Sequence, residues 1–313
     1  CRRAVQRGAR EEKRVELAEA LHRTKGDLRA QAAILRELVP NSSKERSSPT
    51  RLKHNGVVLT DPQQIADALN THYITIGNRT AQTIPAYAAA PHPPDNPASP
   101  HPPFQLHRTT MRTVLKMIRT TNPHKASDIF GVKPAIIKDL AEDIAPIVVG
   151  IFNRAVQEGS YPDVLKVTKV IELYKGGDVE EATQYRPISL LPMIAKLIDC
   201  NKLINTQLMR HLVDNNMISH TQYAFRPNSN TTMAIQTILT DIHKHRKRKQ
   251  PTLAIYIDLS KAYDTVSHPT LMHKLENEFN FTPATTALFR SYFEERTQST
   301  HTLHAQSSFK TIT

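Results

Sequence analysis

The first stretch of the chain has apolar residues at helical spacing. In residues 11–39, four leucines recur near heptad spacing, and Pro40 ends the pattern. We therefore predict one long helix over residues 11–39, although Gly26 weakens the pattern at its centre. Such a helix either lies solvated on the next domain or makes a coiled-coil contact.

A second small unit is predicted over residues 55–77. The Asn-Gly pair at 55–56 is typical of a turn, and the apolar run at 57–59 predicts a short strand. Asp61 and Pro62 suit the N-cap and first turn of a helix. The apolar residues of that helix share one face: Ile65, Ala68, Leu69 and Tyr73.

From Phe104 onward, helical and strand-like patterns are mixed, which indicates an α+β fold. Apolar residues on one face predict five helices. They run through residues 144–152 (ending at Gly159), 194–212, 235–242 (after Asn230), 271–279 and 283–293. Alternation predicts a strand at 167–174, and the apolar run at 252–258 predicts the clearest strand in the chain.

Composition separates these regions and indicates a partner. Eight of the 21 prolines lie between Pro85 and Pro103, which predicts an extended linker. The 41 Lys and Arg residues against 29 Asp and Glu give a net charge of +12, which favours a polyanionic partner. No apolar run approaches the roughly 20 residues of a membrane span. With only Cys1 and Cys200, neither a disulfide framework nor a thiolate metal cage is possible, so we expect an intracellular location, nuclear or cytoplasmic.

The segment 255–268 (IYIDLSKAYDTVSH) carries the first candidate chemistry. Asp258 is predicted to stand at the end of a buried strand, where a carboxylate is costly unless a cation meets it. Mg²⁺, which prefers one or two carboxylates plus substrate phosphates, would satisfy it. From this segment alone, a capping role in the following turn is an equal alternative.

A possible cationic hairpin lies in residues 169–192. Lys169 and Lys175 are six residues apart, which keeps their side chains on one face of a strand. If the Gly-Gly-Asp turn at 176–178 folds the chain back, Arg186 joins them. Three cations on one hairpin suit the binding of a triphosphate. The alternative is an ordinary basic hairpin whose cations are solvated.

Two further segments suit nucleic acid. Gln222, Phe225 and Arg226 are predicted to lie in a loop before a helix capped by Thr231 or Thr232, where they could contact a template. The basic run at 243–249 (HKHRKRK) could contact phosphates or act as a nuclear localisation signal. A solvated loop at a helix C-terminus explains it equally well.

Taken in order, these motifs resemble the reverse transcriptases of non-LTR retrotransposons. The resemblance rests on YPDVLKVTKVIELYKGGD with YRPISLLP, on QYAFRPNSNTTMAI and on IDLSKAYDTVSH. The stretch at 122–138 resembles a further upstream motif, although Ser127-Asp128 replaces its usual Pro-Gly. The segment NGVVLTDPQQIADALNTHY resembles the part that precedes the polymerase. The resemblance covers roughly residues 55–310 apart from the linker.

The resemblance implies the following roles. Asp258 would be a catalytic, metal-binding aspartate with the backbone carbonyl of Leu259 beside it, and Tyr263 would screen the sugar 2′ carbon. Lys175 and Arg186, with Lys169 more loosely, would bind the incoming dNTP. Gln222, Phe225 and Arg226 would lie along the template. The metal would be Mg²⁺, with Mn²⁺ as an alternative, and Asp264 would be structural.

In this family a segment like SSFKTIT leads to the Asp-Asp pair that supplies the remaining metal ligands. The sequence contains no Asp-Asp and is expected to stop before that pair. We therefore expect residues 1–313 to bind nucleic acid without catalysing alone.

The resemblance implies a right-hand polymerase, with fingers and an incomplete palm over 104–313. A helical extension over 1–84 and a Pro-rich linker over 85–103 would precede it. The implied activity is RNA-templated DNA synthesis with an RNA template, a DNA primer and dNTPs. The alternative is a non-catalytic nucleic-acid-binding relic of a decayed element.

Overall fold

A computed structural model describes residues 48–83, 101–199, 203–259 and 261–312, together with Glu19 and Arg23. The chain divides into two units, Cys1–Ser48 and Pro49–Thr313. The helix predicted over 11–39 lies outside the described residues, apart from Glu19 and Arg23, which are helical. Most of the predicted linker and both cysteines also lie outside them.

The described residues of the second unit form a small antiparallel sheet and a larger mixed sheet. The small one pairs β1 (Leu52–His54) with β2 (Val57–Leu59). The larger one has the order β4-β3-β5-β6, in which β3 runs parallel to β5 and the other pairs are antiparallel. Its strands are β3 (Val167–Tyr174), β4 (Tyr185–Leu190), β5 (Thr297–Thr300) and β6 (Lys310–Thr311).

Nine α-helices are found in the described part of the chain. They are α1 (Pro62–Thr83), α2 (Met111–Arg119), α3 (Pro134–Asp139), α4 (Ala141–Glu158), α5 (Met193–Ile198), α6 (Ile204–Asp214), α7 (Thr231–Lys247), α8 (His268–Asn277) and α9 (Pro283–Phe293). None of these helices is both long and apolar enough to cross a membrane.

Two apolar cores hold these elements together. The larger one is built mainly from the helices between α2 and α9, with Phe152, Tyr161 and Leu288 almost fully buried. The smaller one lies where α1 packs on the large sheet, and it joins Leu69 to Val170. The predicted apolar face of α1 is confirmed, because its four predicted core residues are all buried there.

Asn70 on α1 fixes this helix to the large sheet. Its side chain is fully buried, and its amide donates to the carbonyl oxygens of Gln298 and Ser308. Its Oδ1 accepts from Gln298 Nε2 at 3.0 Å and from the Thr300 hydroxyl at 3.2 Å. All of its amide hydrogen-bonding groups are therefore used, so α1 is an integral part of this unit.

Several local predictions are confirmed. The strand at 167–174, the helix ending at Gly159 and the helices after Ser267 and Thr282 all form. Gly159 has a left-handed φ of 63°, and a Cβ there would lie 3.0 Å from that of Ala287 on α9. A glycine is thus required both to end α4 and to admit α9.

The helix predicted through residues 194–212 is wrong in length. It is two helices, α5 and α6; the first ends at Ile198, and Asp199 is its C-cap. The Tyr161 hydroxyl lies 2.7 and 2.8 Å from the two carboxylate oxygens of Asp199, which fixes this buried side chain at the break. Apolar periodicity continues across the break because both helices pack on the same core.

The strand predicted at residues 252–258 is also wrong. These residues form no strand, and Leu253, Ile255 and Ile257 are 75–85% exposed. A strand needs a neighbour for its backbone N–H and C=O groups, and no described strand pairs with this segment. The preceding helix α7 forms as predicted, but its apolar face is exposed and its N-cap is Asn230 rather than Thr231 or Thr232.

The predicted domain limits at residues 84/85 and 103/104 remain predictions, because residues 84–100 lie outside the described part. Residues 49–83, expected in the N-terminal extension, pack on the large sheet within one unit with the residues that follow. The predicted α+β class is confirmed as a mixed helix and sheet fold.

Candidate nucleotide and template site

The predicted hairpin of β3 and β4 is confirmed, and it sets the position of three cations. Arg186 pairs with Leu173 in the antiparallel ladder, so the two side chains lie on one face. Alternation places Lys169 on that face as well. Lys175 follows β3 directly, where its N–H still bonds to the carbonyl of Gln184. The three predicted dNTP ligands therefore belong to one hairpin.

The three cations are unequally spaced along that hairpin. Arg186 lies opposite Leu173, which is two residues before Lys175 and four residues after Lys169. Measured along the strand, Arg186 is therefore roughly 7 Å from Lys175 and roughly 13 Å from Lys169. Neither Lys169 nor Arg186 has a hydrogen-bond or ion-pair partner for its side chain within the described ranges, whereas Lys175 Nζ donates to the Thr183 carbonyl at 3.0 Å. Lys175 and Arg186 thus form the close pair.

The acids of the hairpin turn contact a lysine outside the hairpin. Lys53 on β1 lies 2.7 Å from Asp178 and 3.8 Å from both Glu180 and Glu181. The hydrogen bond from Lys53 lowers the pKa of Asp178, and the same bond raises the pKa of Lys53. Lys53 on β1 therefore offsets part of the negative charge of the turn.

One face of the hairpin is covered and the other is open. Val170 and Tyr185 are buried under α1. On the opposite face, which carries Lys169 and Arg186, Leu173 and Ile188 are 49% and 38% exposed. The described residues of β3 and β4 on this open face include no acidic residue.

Asp258 is not where the sequence placed it. The predicted mouth of a buried strand is instead an exposed segment without regular structure, and Leu259 beside it is 71% exposed. In this arrangement the Asp258 carboxylate is solvated. Within the described residues, no group of three His, Cys, Asp or Glu side chains could hold a metal ion. Asp258 and the Leu259 carbonyl therefore do not by themselves fit a two-metal site.

The turn that follows Asp258 lies against α1. A Cβ on Gly77 of α1 would overlap the carbonyl oxygen of Asp264, so this close approach requires glycine. Burial raises the pKa of Asp264, while Lys261 and Lys175 oppose that shift. The hairpin end that bears Lys175 is thus electrostatically coupled to this turn.

A cationic cluster around His72 on α1 was missed from the sequence. Burial, together with the positive charges of Lys261, Arg79 and Lys175, lowers the pKa of His72 to about 4. His72 is therefore neutral near pH 7. Lys175 and Lys261 are far from His72 in sequence, so only the docking of α1 could have revealed their approach.

Tyr263 lies at the mouth of a cavity of about 470 Å³ between α1 and the turn. The cavity is also lined by Tyr73 and Asp264. Tyr263 is 78% exposed and is therefore not a core aromatic. Its ring is free to contact a bound molecule.

The predicted template loop is formed and exposed. Phe225 is 80% exposed and has a left-handed φ of 56°, which is unusual for an aromatic residue. The loop is held locally, because Arg226 donates to the Ser219 carbonyl at 3.2 Å and Gln222 donates to that of Ala224 at 3.3 Å. The backbone therefore presents the Phe225 ring to solvent.

Comparison with known proteins finds a match over part of the chain. Residues 174–311 match the family of reverse transcriptases (RNA-dependent DNA polymerases). The matched segment, which is less than half of the chain, is similar to a reverse transcriptase domain. The match begins within the cationic hairpin and includes the Asp258 segment, which confirms the resemblance seen in the motifs.

Relatives of this chain come from mobile elements. The RNA-directed DNA polymerase from mobile element jockey of Drosophila melanogaster is 26% identical over 215 residues, 67% of this chain and 23% of the relative. A probable RNA-directed DNA polymerase from transposon BS of the same species is 26% identical over 185 residues, 58% of this chain and 20% of the relative. The chain thus spans about a quarter of these relatives' length.

The basic run at 243–249 stands at the end of α7 in the matched segment. It forms the last turn of that helix and its C-cap, and all of its residues are exposed. Lys244 pairs with Asp241 at 3.2 Å. This position agrees with a solvated helix C-terminus and leaves phosphate contact and nuclear localisation as predictions.

Proposed function

We propose that this chain supplies the nucleotide- and template-facing part of an RNA-directed DNA polymerase of the non-LTR retrotransposon type. The observation that carries the proposal is the open, acid-free face of the β3–β4 hairpin, coupled through Lys175 to the turn after Asp258. The α+β fold then corresponds to the fingers and early palm of a right-hand polymerase. The substrates are an RNA template, a DNA primer and dNTPs.

In this proposal Lys175 and Arg186 bind the triphosphate of the incoming dNTP, since they are the closest pair of cations on the hairpin. Guanidinium geometry suits two phosphate oxygens, and the ammonium acts as a point charge. Lys169, the third predicted ligand, contacts phosphates at the far edge of the same site. Gln222, Phe225 and Arg226 contact the template.

Asp258 contributes one carboxylate toward Mg²⁺, or Mn²⁺, with the Leu259 carbonyl beside it. Reverse transcriptases generally use divalent ions. Since the described residues hold no cluster of three potential metal-binding side chains, we expect residues 1–313 to bind nucleic acid but to extend no primer.

Binding measured at several salt concentrations tests this proposal. The triple variant Lys169→Ala/Lys175→Ala/Arg186→Ala should reduce the slope of log affinity against log salt for single-stranded RNA by about 2. The matched control, in a separate triple variant, removes three cations that have no side-chain partner within the described residues: Arg112, Lys116 and Lys138. They lie on α2 and α3, outside the hairpin.

The control should leave the slope close to that of the unmodified chain. Equal slopes for both triple variants would contradict the proposed role of the hairpin. Binding of the unmodified chain that does not depend on salt would contradict the electrostatic basis of the whole proposal.

A further inference from the structure

An apolar cavity opens on the cationic face of the sheet, at the start of β3. It has a volume of about 440 Å³ and is lined by Phe130, Phe309, Val167 and His301, among others. Val167 is the next residue before Lys169 on the same face of β3, roughly 6.6 Å away along the strand. The cavity and the first cation of the hairpin are therefore neighbours.

Two phenylalanine rings border this cavity while remaining largely open to solvent. Phe130 is 58% exposed and Phe309 is 55% exposed. Large apolar side chains that gather at an exposed depression commonly mark a binding surface. Nothing in the packing of either core requires these two rings, since neither belongs to a core cluster.

The backbone holds both rings in place. Asp128 is buried, and its Oδ1 accepts from the N–H groups of Phe130 and Val132, each at 2.9 Å. Its Oδ2 accepts from Met193 N–H at 2.8 Å, which ties this turn to the start of α5. Phe309 directly precedes β6. The rings are therefore presented on a firm support, as a stacking platform requires.

The positive charge beside the cavity favours an anionic ligand. Lys169 and Arg186 lie on the same face with no ion-pair partner within the described residues, and this face of β3 and β4 carries no acid. Aromatic rings beside a row of free cations suit single-stranded nucleic acid, whose bases stack while its phosphates follow the cations. A duplex hides its base faces and could not use the rings.

We propose that Phe130 and Phe309 form a stacking site for unpaired bases of a nucleic-acid strand whose phosphates pass over Lys169. The site rests on the proposed function and extends it, because it adds a base-binding subsite outside the predicted template loop. Stacking is independent of base identity, so the site holds any sequence.

The test compares two ligands of equal charge with the 313-residue chain. Fluorescence anisotropy measures the affinity of a labelled oligothymidylate and of an oligomer of the same length in which every base is absent. The unmodified chain should prefer the first. In the variant Phe130→Ala/Phe309→Ala, the ratio of the two affinities should fall by about five- to 150-fold for each stacked base. The slope of log affinity against log salt should stay the same.

Three controls make the result specific. Phe130→Tyr/Phe309→Tyr keeps both rings and should keep the preference. Ile147→Ala removes an apolar side chain of similar exposure, 55%, from α4 and should change nothing. Lys169→Ala should reduce the salt slope without abolishing the preference.

Failure of the site and failure of the proposed function can be separated. If the unmodified chain prefers thymidylate and the alanine variant prefers it equally, the stacking site is refuted while nucleic-acid binding stands. If the unmodified chain binds neither oligomer, the proposed function fails. If the alanine variant changes only sedimentation of the chain, the surface is a contact between copies and the proposal is overturned.

Discussion

Removing the Asn70 side chain should detach α1 from the large sheet. In Asn70→Ala, the carbonyls of Gln298 and Ser308 lose their side-chain donor, and the Gln298 amide and the Thr300 hydroxyl lose their acceptor. Each buried group left unsatisfied costs about 1–3 kcal/mol. Some of these groups have other partners or can reach water, so we expect a loss of about 3–5 kcal/mol in the free energy of unfolding.

Urea denaturation of the purified chain measures this loss. Asn277→Ala is the matched control, because the Asn277 amide is exposed and donates only to the His273 carbonyl on its own helix. That variant should change the free energy of unfolding by less than about 0.5 kcal/mol. Hydrogen exchange should show α1 opening in the Asn70 variant, with the helices of the larger core still protected.

Asn70→Asp tests the geometry more sharply. It keeps an acceptor for Gln298 and Thr300 but loses both donated bonds and adds a buried charge facing two carbonyl oxygens. It should therefore be at least as destabilising as alanine. A loss below about 1 kcal/mol in Asn70→Ala would refute the claim that this amide holds α1 on the sheet.

Three further predictions concern single side chains. Burial raises the pKa of Asp199 to about 7 from its ordinary value near 3.8, so its contribution to stability is present below about pH 4 and is lost as the pH rises through 7. Asp199→Asn should therefore gain stability relative to the unmodified chain as the pH rises over that range. Parallel curves of the free energy of unfolding against pH for the two proteins would contradict this. Asp128→Ala removes the two carboxylate oxygens that accept from three backbone N–H groups and should cost about 3 kcal/mol or more by urea denaturation, whereas a cost under about 1 kcal/mol would show that the turn does not need these bonds. Because Tyr263 is 78% exposed, Tyr263→Val should leave the melting temperature unchanged. In a polymerase that continues to its relatives' length, the same change should raise the use of rNTP relative to dNTP; an unchanged ratio would refute the role of Tyr263 in screening the sugar.

Local patterns in the sequence predicted much of the fold. The buried face of α1, the strand at 167–174 and the helix end at Gly159 all follow from spacing or turn chemistry within a few residues. The one-face placement of Lys169 and Arg186 also follows, because a hairpin needs only strand alternation and a glycine turn.

Predictions that depended on distant partners were wrong or missing. The apolar run at 252–258 reads as a strand, but strand formation requires a neighbour that composition cannot supply. The contacts of Asn70, the ion pairs of Lys53 with the hairpin turn and the approach of Lys175 and Lys261 to His72 each join residues far apart in sequence. No local pattern reports such contacts, and the stacking rings were missed for the same reason.

The two carboxylates around the turn offer the most direct test of the polymerase site. In a protein that contains this chain and continues to its relatives' length, primer extension on an RNA template is measured for Asp258→Asn and Asp264→Asn. Both changes remove one negative charge, from positions six residues apart. We predict that Asp258→Asn lowers activity by orders of magnitude, because metal ions neutralise the developing charge in phosphoryl transfer, while Asp264→Asn stays within about tenfold of the unmodified protein. Extension by Asp258→Asn at the unmodified rate would contradict the assignment of this site.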